Sequence, residues 1–332
     1  MPAALVASSV GSLHLGEFLP PTLIAATYAA LYAVRLRTLR RQSRPPASWR
    51  VGVFAGGLVL MVGLQLPPLD GLADEVLAVH MVQHILLGEI ASLLIVLGLT
   101  GPLLQPLLQI RLTRPLRALA HPLTAFAAWT IDMYVWHLPF LYQLAIRHDV
   151  VHAVEHACLL WFGALLWIAL IGPLARPSWF RGWGEAGYLL AVRTAGAVLG
   201  NVLIWAPGVI YPVYRASDAA RGLSPHSDQT LAGAAMMVEQ MLLTAVLLGW
   251  LFLRFTRREE QKQQLLDLAA RRGGALTSER AVRAVEAGAG HRLRARLLEA
   301  APAGDRVARE DHGRDETPQP GPTIAAARAD AD

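Results

Sequence analysis

The chain has 332 residues, 54% of them hydrophobic and 17% charged, with a formal net charge of +5. Soluble domains carry about 25% charged residues, so this composition disfavours a soluble globular enzyme and fits a membrane protein. The single cysteine, Cys158, excludes an internal disulfide framework and any paired-cysteine metal motif.

The opening stretch MPAALVASSVGSLHLGEFLP lacks the basic and apolar regions of a cleaved leader, so the first span is expected to stay in the mature protein. A bilayer-crossing helix needs roughly 20 mostly apolar residues. Seven stretches qualify, at about 19–36, 50–66, 77–99, 119–140, 150–174, 188–211 and 229–253. Pro67-Pro68, Pro102, Pro106 and Pro173 punctuate their ends. The predicted fold is all-α, a polytopic membrane helix bundle, with no internal repeat of the kind seen in duplicated transporters.

Loop charge sets its orientation. Arg35, Arg37, Arg40, Arg41, Arg44 and Arg50 crowd the first loop; Arg111, Arg114 and Arg117 the third; Arg176 and Arg181 the fifth. Arg254, Arg257, Arg258 and Lys262 follow the seventh span. The second loop offers only Asp70, Asp74 and Glu75, and in the fourth and sixth the charges balance: Arg147 with Asp149, and Arg215 and Arg221 with Asp218 and Asp228. The positive-inside rule then puts the N-terminus outside and the C-terminus in the cytoplasm. Residues 1–254 are expected to form the transmembrane domain and 255–332 a charged, largely disordered tail. Within that tail, Arg257–Arg272 has the composition of an amphipathic helix against an anionic leaflet. The lipid bilayer is the expected surface partner, and no nucleic-acid partner is expected.

With that orientation, the third and fifth spans both enter from outside. His80 and His84, in HMVQH, lie roughly 5 and 10 Å below the outer boundary at 1.5 Å per residue, and His152 and His156, in HAVEH, lie at a similar level. The outward-running fourth span brings His137 to the same layer. Each pair is spaced i, i+4 and shares one helix face, so the two pairs can converge across a bundle. A lone histidine near a helix end is ordinarily an interfacial polar residue, but two such pairs plus a fifth histidine at one depth point to a metal site. Neutral imidazole suits copper, zinc, iron and nickel, and Met133, four residues before His137, tilts the choice towards copper, especially Cu(I).

Other groups are ranked lower. Glu155, three residues from His152, is expected to orient a ligand as an outer hydrogen-bond acceptor or to serve as an accessory group. Met236, Met237 and Met241 are an accessory copper path or plain packing. Glu89 sits about 180° around the helix from His80, and Asp132 points away from His137. These two acids and Glu239 are left as cross-helix partners or proton carriers. His14, His148 and His226 are read as solvated external histidines and His121 as a cap at the cytoplasmic end. Cys158, about 120° from His152, is read as packing.

The ordered motifs HMVQH, WHLPFLY and HAVEH, the last followed by an aromatic-rich helix ending in IGP, resemble the CtaG-type cytochrome c oxidase assembly family from about Leu13 to Phe255. That resemblance implies a non-enzymatic factor that helps build aa-type haem-copper oxidases. It would partner oxidase subunits and a periplasmic copper carrier, with His80, His84, His137, His152 and His156 as the motif positions. The alternatives are a haem-b membrane cytochrome or a copper transport protein. An HExxH metalloprotease is excluded, because Met81 and Ala153 follow the first histidine of each pair.

Overall fold

The computed structural model describes residues 15–110, 118–174, 176–177, 179–180, 182–272 and 274–299. His14, Arg111, Arg114, Arg117, Arg181 and the tail beyond Glu299 lie outside the described residues. Among those described there are helices and no strands.

Helix α1 (Leu15–Arg41) ends on Arg40 and Arg41, where cations suit the carbonyl end of a helix. Helix α2 (Ser48–Gly63) bends by 60° into the short α3 (Pro67–Ala73), where Pro67 starts a new helix that needs no N–H from it. Next comes one long helix, Leu77–Gly98, made of α4 (Leu77–Ile85), a π-helical turn (Leu86–Ala91) and α5 (Ser92–Gly98). It is followed by α6 (Gly101–Gln109), α7 (Pro122–Trp136), α8 (Pro139–Arg147) and α9 (Asp149–Ile171). Helix α10 (Trp183–Trp205), a 3-10 turn (Pro212–Tyr214), α11 (Arg215–Ala220) and the 47-residue α12 (Pro225–Arg271) complete the order to Arg271.

Four of these helices are long and apolar enough to cross a membrane: Leu77–Gly98, Asp149–Ile171, Trp183–Trp205 and Pro225–Arg271. The bent pair α2–α3 makes up to five. The fourth expected span, 119–140, forms a helix only over Pro122–Trp136, about 22 Å at 1.5 Å per residue. It stops because Leu138 precedes Pro139 and so takes an extended backbone instead of an α conformation. Helix α1 covers the first expected span but carries Arg35, Arg37, Arg40 and Arg41 in its last two turns.

Contacts make two compact units, divided between Leu251 and Phe252. In the first, the main core gathers Trp129, Tyr142, Trp167, Leu189, Tyr211 and Met236. The loop arginines do more than bias orientation: Arg35 donates to the Pro102 carbonyl and Arg50 to that of Leu97, tying down carbonyls at and just past the end of α5. Helix α9 passes the π turn so closely that a Cβ on Gly163 would lie 2.0 Å from the Gly88 carbonyl oxygen, and only glycine permits that approach. Gly233 plays the same part between α12 and α10, with a Cβ there 2.6 Å from the Gly200 carbonyl.

Of the tail expected to be largely disordered, the structure describes residues 255–272 and 274–299, and these are mainly helical. Helix α12 continues to Arg271, and α13 (Ser278–Glu286) and α14 (Gly290–Glu299) form a helical hairpin. The physical cause is a small apolar cluster, Leu265, Ala281 and Val285 with Leu276, Leu293 and Leu297, that average composition conceals. Gly288, at φ +65°, makes the turn between the two helices.

Candidate metal centre

The two HxxxH pairs sit in the first two turns of α4 and α9. Three anchors hold α4 in place. The Asp228 carboxylate accepts from the backbone N–H groups of Leu77 (2.7 Å) and Ala78 (3.0 Å), capping α4 from the start of α12. The Gln83 amide donates to the Leu64 carbonyl and to Asp70, each at 2.8 Å. On the opposite face, the close passage at Gly163 sets α9 alongside.

As a result the four imidazoles face each other. Ring centroids of His80 and His84 lie 4.2 Å apart, as do those of His152 and His156. Across the helices, His80 to His152 is 5.2 Å and His84 to His156 is 5.1 Å. Ligating atoms of His80, His84, His152 and Glu155 all fall within 4.8 Å of one another. Glu155 therefore differs from its expected position: its carboxylate joins the donor group instead of standing behind it. Three residues past His152, it lies only about 60° around the helix, which is enough to turn it inward.

His156 packs within the ring cluster but is not one of those four converging donors. His137 stands further off. It caps α7, its Nδ1 lies 2.7 Å from the Met133 carbonyl, and its ring contacts Tyr142 at 6.3 Å. Tyr142 is the wall of the cluster, with its ring 5.4 Å from His80 and its hydroxyl 3.0 Å from that of Tyr214. The Tyr211 hydroxyl donates to the His137 carbonyl at 2.8 Å.

His80, His84, His137, Glu155 and His156 are buried, His152 is half-buried, and their donor atoms lack partners. Both ring nitrogens of His80 and His84, the Nε2 atoms of His137, His152 and His156, and both Glu155 carboxylate oxygens have no hydrogen-bond partner among the described residues. His80 approaches the Ala73 carbonyl without reaching hydrogen-bond geometry. The His84 Nε2 to Glu155 Oε2 distance is 4.0 Å, too long for a hydrogen bond. Each unpartnered buried group costs about 1–3 kcal/mol, so a site with this many asks for a common partner. Three neutral imidazoles and a carboxylate converging on one point have the chemistry to bind a divalent transition-metal ion.

Set beside known proteins, the chain matches the cytochrome c oxidase caa3 assembly factor (Caa3_CtaG) profile over residues 30–258. The chain belongs to that assembly-factor family. The matched region holds His80, His84, His137, His152, His156 and Glu155 and ends before α13. Two curated proteins described only as uncharacterized, one from Mycobacterium bovis and one from Mycobacterium tuberculosis, are each 27% identical over 224 residues. The alignment covers 61% of this chain and 33% of each relative, so the chain spans about a third of the length of the curated relatives it matches. No solved structure gives a significant match.

The accessory methionines do not join the donor group. Met133 and Met236 are in the main core, and Met237 accepts from the Asn201 amide at 3.2 Å. Met241 is 64% exposed. Asp132 accepts from the Trp136 indole at 3.0 Å.

The acids Glu89 and Glu239 find a partner that sequence reading passed over. Arg193, mid-way along α10, donates to both at 2.9 Å, and its guanidinium lies 5.7 Å from the Trp167 ring centroid. In the π turn, the Glu89 carbonyl accepts from the Trp167 indole at 3.0 Å as well as from the Ser92 hydroxyl at 3.1 Å. An arginine near the centre of a mostly apolar 23-residue helix was the available signal, since such a charge calls for a buried partner. Removing one member of a buried ion network leaves the others uncompensated. Arg193→Ala should therefore destabilise the fold by about 3–5 kcal/mol, seen as loss of monodisperse protein on gel filtration. The triple change Arg193→Met, Glu89→Gln, Glu239→Gln should restore most of it.

Proposed function

We propose that this assembly factor carries a copper ion as cargo between its two HxxxH helices and hands it to a subunit of an aa-type haem-copper oxidase. The observation that carries this reading is the convergence of three imidazoles and the Glu155 carboxylate within 4.8 Å, buried and without other partners. Its role is non-catalytic: the residues hold and release an ion. With Met133 in the core and a carboxylate among the donors, the set suits Cu(II) better than the Cu(I) expected from sequence, because soft thioether ligands are what select the cuprous state. His156 and His137, each with an unpartnered Nε2, line the way in or out.

A haem-b centre fits the geometry less well. The His84 and His156 rings stand 5.1 Å apart and nearly edge to face, with His80 and His152 within 6.5 Å, which leaves no slot for a porphyrin.

The site belongs, in this reading, at the outer face of a bacterial plasma membrane, in a seven-helix chain with its N-terminus outside and its C-terminal region in the cytoplasm. A periplasmic carrier would supply the copper. The loop arginines support that orientation. A reporter fused after Phe255 should then behave as cytoplasmic, and one inserted between Pro212 and Asp228 as external. The reverse pattern would put the donors at the wrong membrane face.

Replacing His84 and His152 with alanine should leave the protein inserted, since both changes remove polar groups and leave the apolar spans intact. Oxidase activity should fall in copper-limited cells and recover at least in part when copper is added. Full activity of the double variant under copper limitation would separate the histidine cluster from oxidase assembly.

A further inference from the structure

The hairpin of α13 and α14 lies beyond the residues matched to the family and takes no part in the metal site. Its two helices are amphipathic in a particular way. One side buries Ala281 and Val285 against Leu265 of α12. Another side encloses a concavity of about 460 Å³ lined by Arg280, Arg283, Arg292 and Arg296, with Ala284, Ala289 and Leu293 as its apolar floor. The spacing explains the convergence. Arg280 and Arg283 are i, i+3 on one helix, Arg292 and Arg296 are i, i+4 on the next, and each pair shares a helix face. The turn at Gly288 folds one face onto the other.

Four guanidinium groups around one hollow repel each other, and none of the four is paired with a carboxylate among the described residues. All four side chains are exposed. Such an arrangement is stable as it stands only through hydration and counter-ions, and it is complementary to a clustered anion. Guanidinium binds phosphate oxygens in a two-pronged fashion, so two arginine pairs match two phosphate groups. The apolar floor suits a ligand with a hydrocarbon part. The same chain supplies the context: α12, which leads into the hairpin, exposes Leu242, Val246, Phe252, Leu253 and Phe255, as a lipid-facing helix does.

We infer that the arginine hollow of the α13–α14 hairpin binds the phosphate groups of anionic phospholipids, with room for a lipid bearing two phosphodiesters. It tethers the second unit to the anionic leaflet. The inference is independent of the copper reading, because it uses no residue of the metal site and is tested without metal.

The test uses the full chain in nanodiscs, with Cys158→Ser and Ala287→Cys so that an environment-sensitive fluorophore reports from the exposed turn beside the hollow. Discs of neutral phosphatidylcholine should give the emission of a solvated label. Discs containing phosphatidylglycerol, and more strongly those containing a diphosphatidylglycerol lipid, should shift it to the blue. Each arginine of the four changed to glutamine should weaken the response about fivefold. Arg294→Gln, which does not line the hollow, should weaken it less. Helicity measured by circular dichroism checks that the variants keep the hairpin. An identical response in neutral and anionic discs would overturn the proposal, as would an unchanged response in the Arg283→Gln, Arg292→Gln double variant. A response to inorganic pyrophosphate in neutral discs, with none to anionic lipid, would assign the hollow to a soluble anion and equally overturn it.

Discussion

The site depends on how closely two helices can approach. A Cβ on Gly163 would lie 2.0 Å from the Gly88 carbonyl oxygen, so α9 and the Leu77–Gly98 helix touch backbone to backbone at that level. From this contact, the two HxxxH pairs come within imidazole reach of one another at the N-terminal ends of their helices. A larger residue at position 163 would push the helices apart. Ligand bonds to nitrogen are near 2 Å, so a separation of even an ångström or two would leave donors that no single ion could bridge.

The second organising constraint is that an apolar surrounding offers buried polar groups no water. Several of those among the described residues are paired inside the protein. Asp228 caps α4, Gln229 bonds Ile210, Leu203 and Gly208, and Arg193 holds Glu89 and Glu239. Against this background the concentration of unpartnered nitrogens and oxygens at His80, His84, His152, His156 and Glu155 stands out. The ion triad and the histidine cluster both draw on the Leu77–Gly98 helix, yet they differ in kind. The triad pairs its charges within itself, with Glu89 Oε1 and Arg193 Nε left unbonded, whereas nearly every donor atom of the cluster is left for a partner from outside.

Much of this was legible from residues alone. The i, i+4 spacing of HMVQH and HAVEH states which faces carry imidazoles, and the length of the apolar runs states where the main helices lie. The position of Glu155 was open to a helical-wheel argument, but whether it stood inside the donor group or behind it depended on how α9 is rotated against α4, and packing at Gly163 decides that. Arg193 was visible as a charge in an apolar helix, but its partners lie 104 and 46 residues away. Glu89 joins a separate ion network through Arg193, and that network needed a third helix. The α13–α14 hairpin was hidden for another reason. Its apolar residues are few and its composition is dominated by Arg, Ala and Glu, so only their spacing shows that they gather on one side.

The central claim is that three imidazoles and one carboxylate hold a single ion. Electron paramagnetic resonance of the purified chain loaded with one equivalent of Cu(II) tests it most directly. A tetragonal signal with splitting from several equivalent nitrogens is expected, losing nitrogen couplings in His84→Ala and changing its parameters in Glu155→Gln without loss of nitrogen. A signal indistinguishable from aqueous copper, or one unaffected by either substitution, would contradict the account.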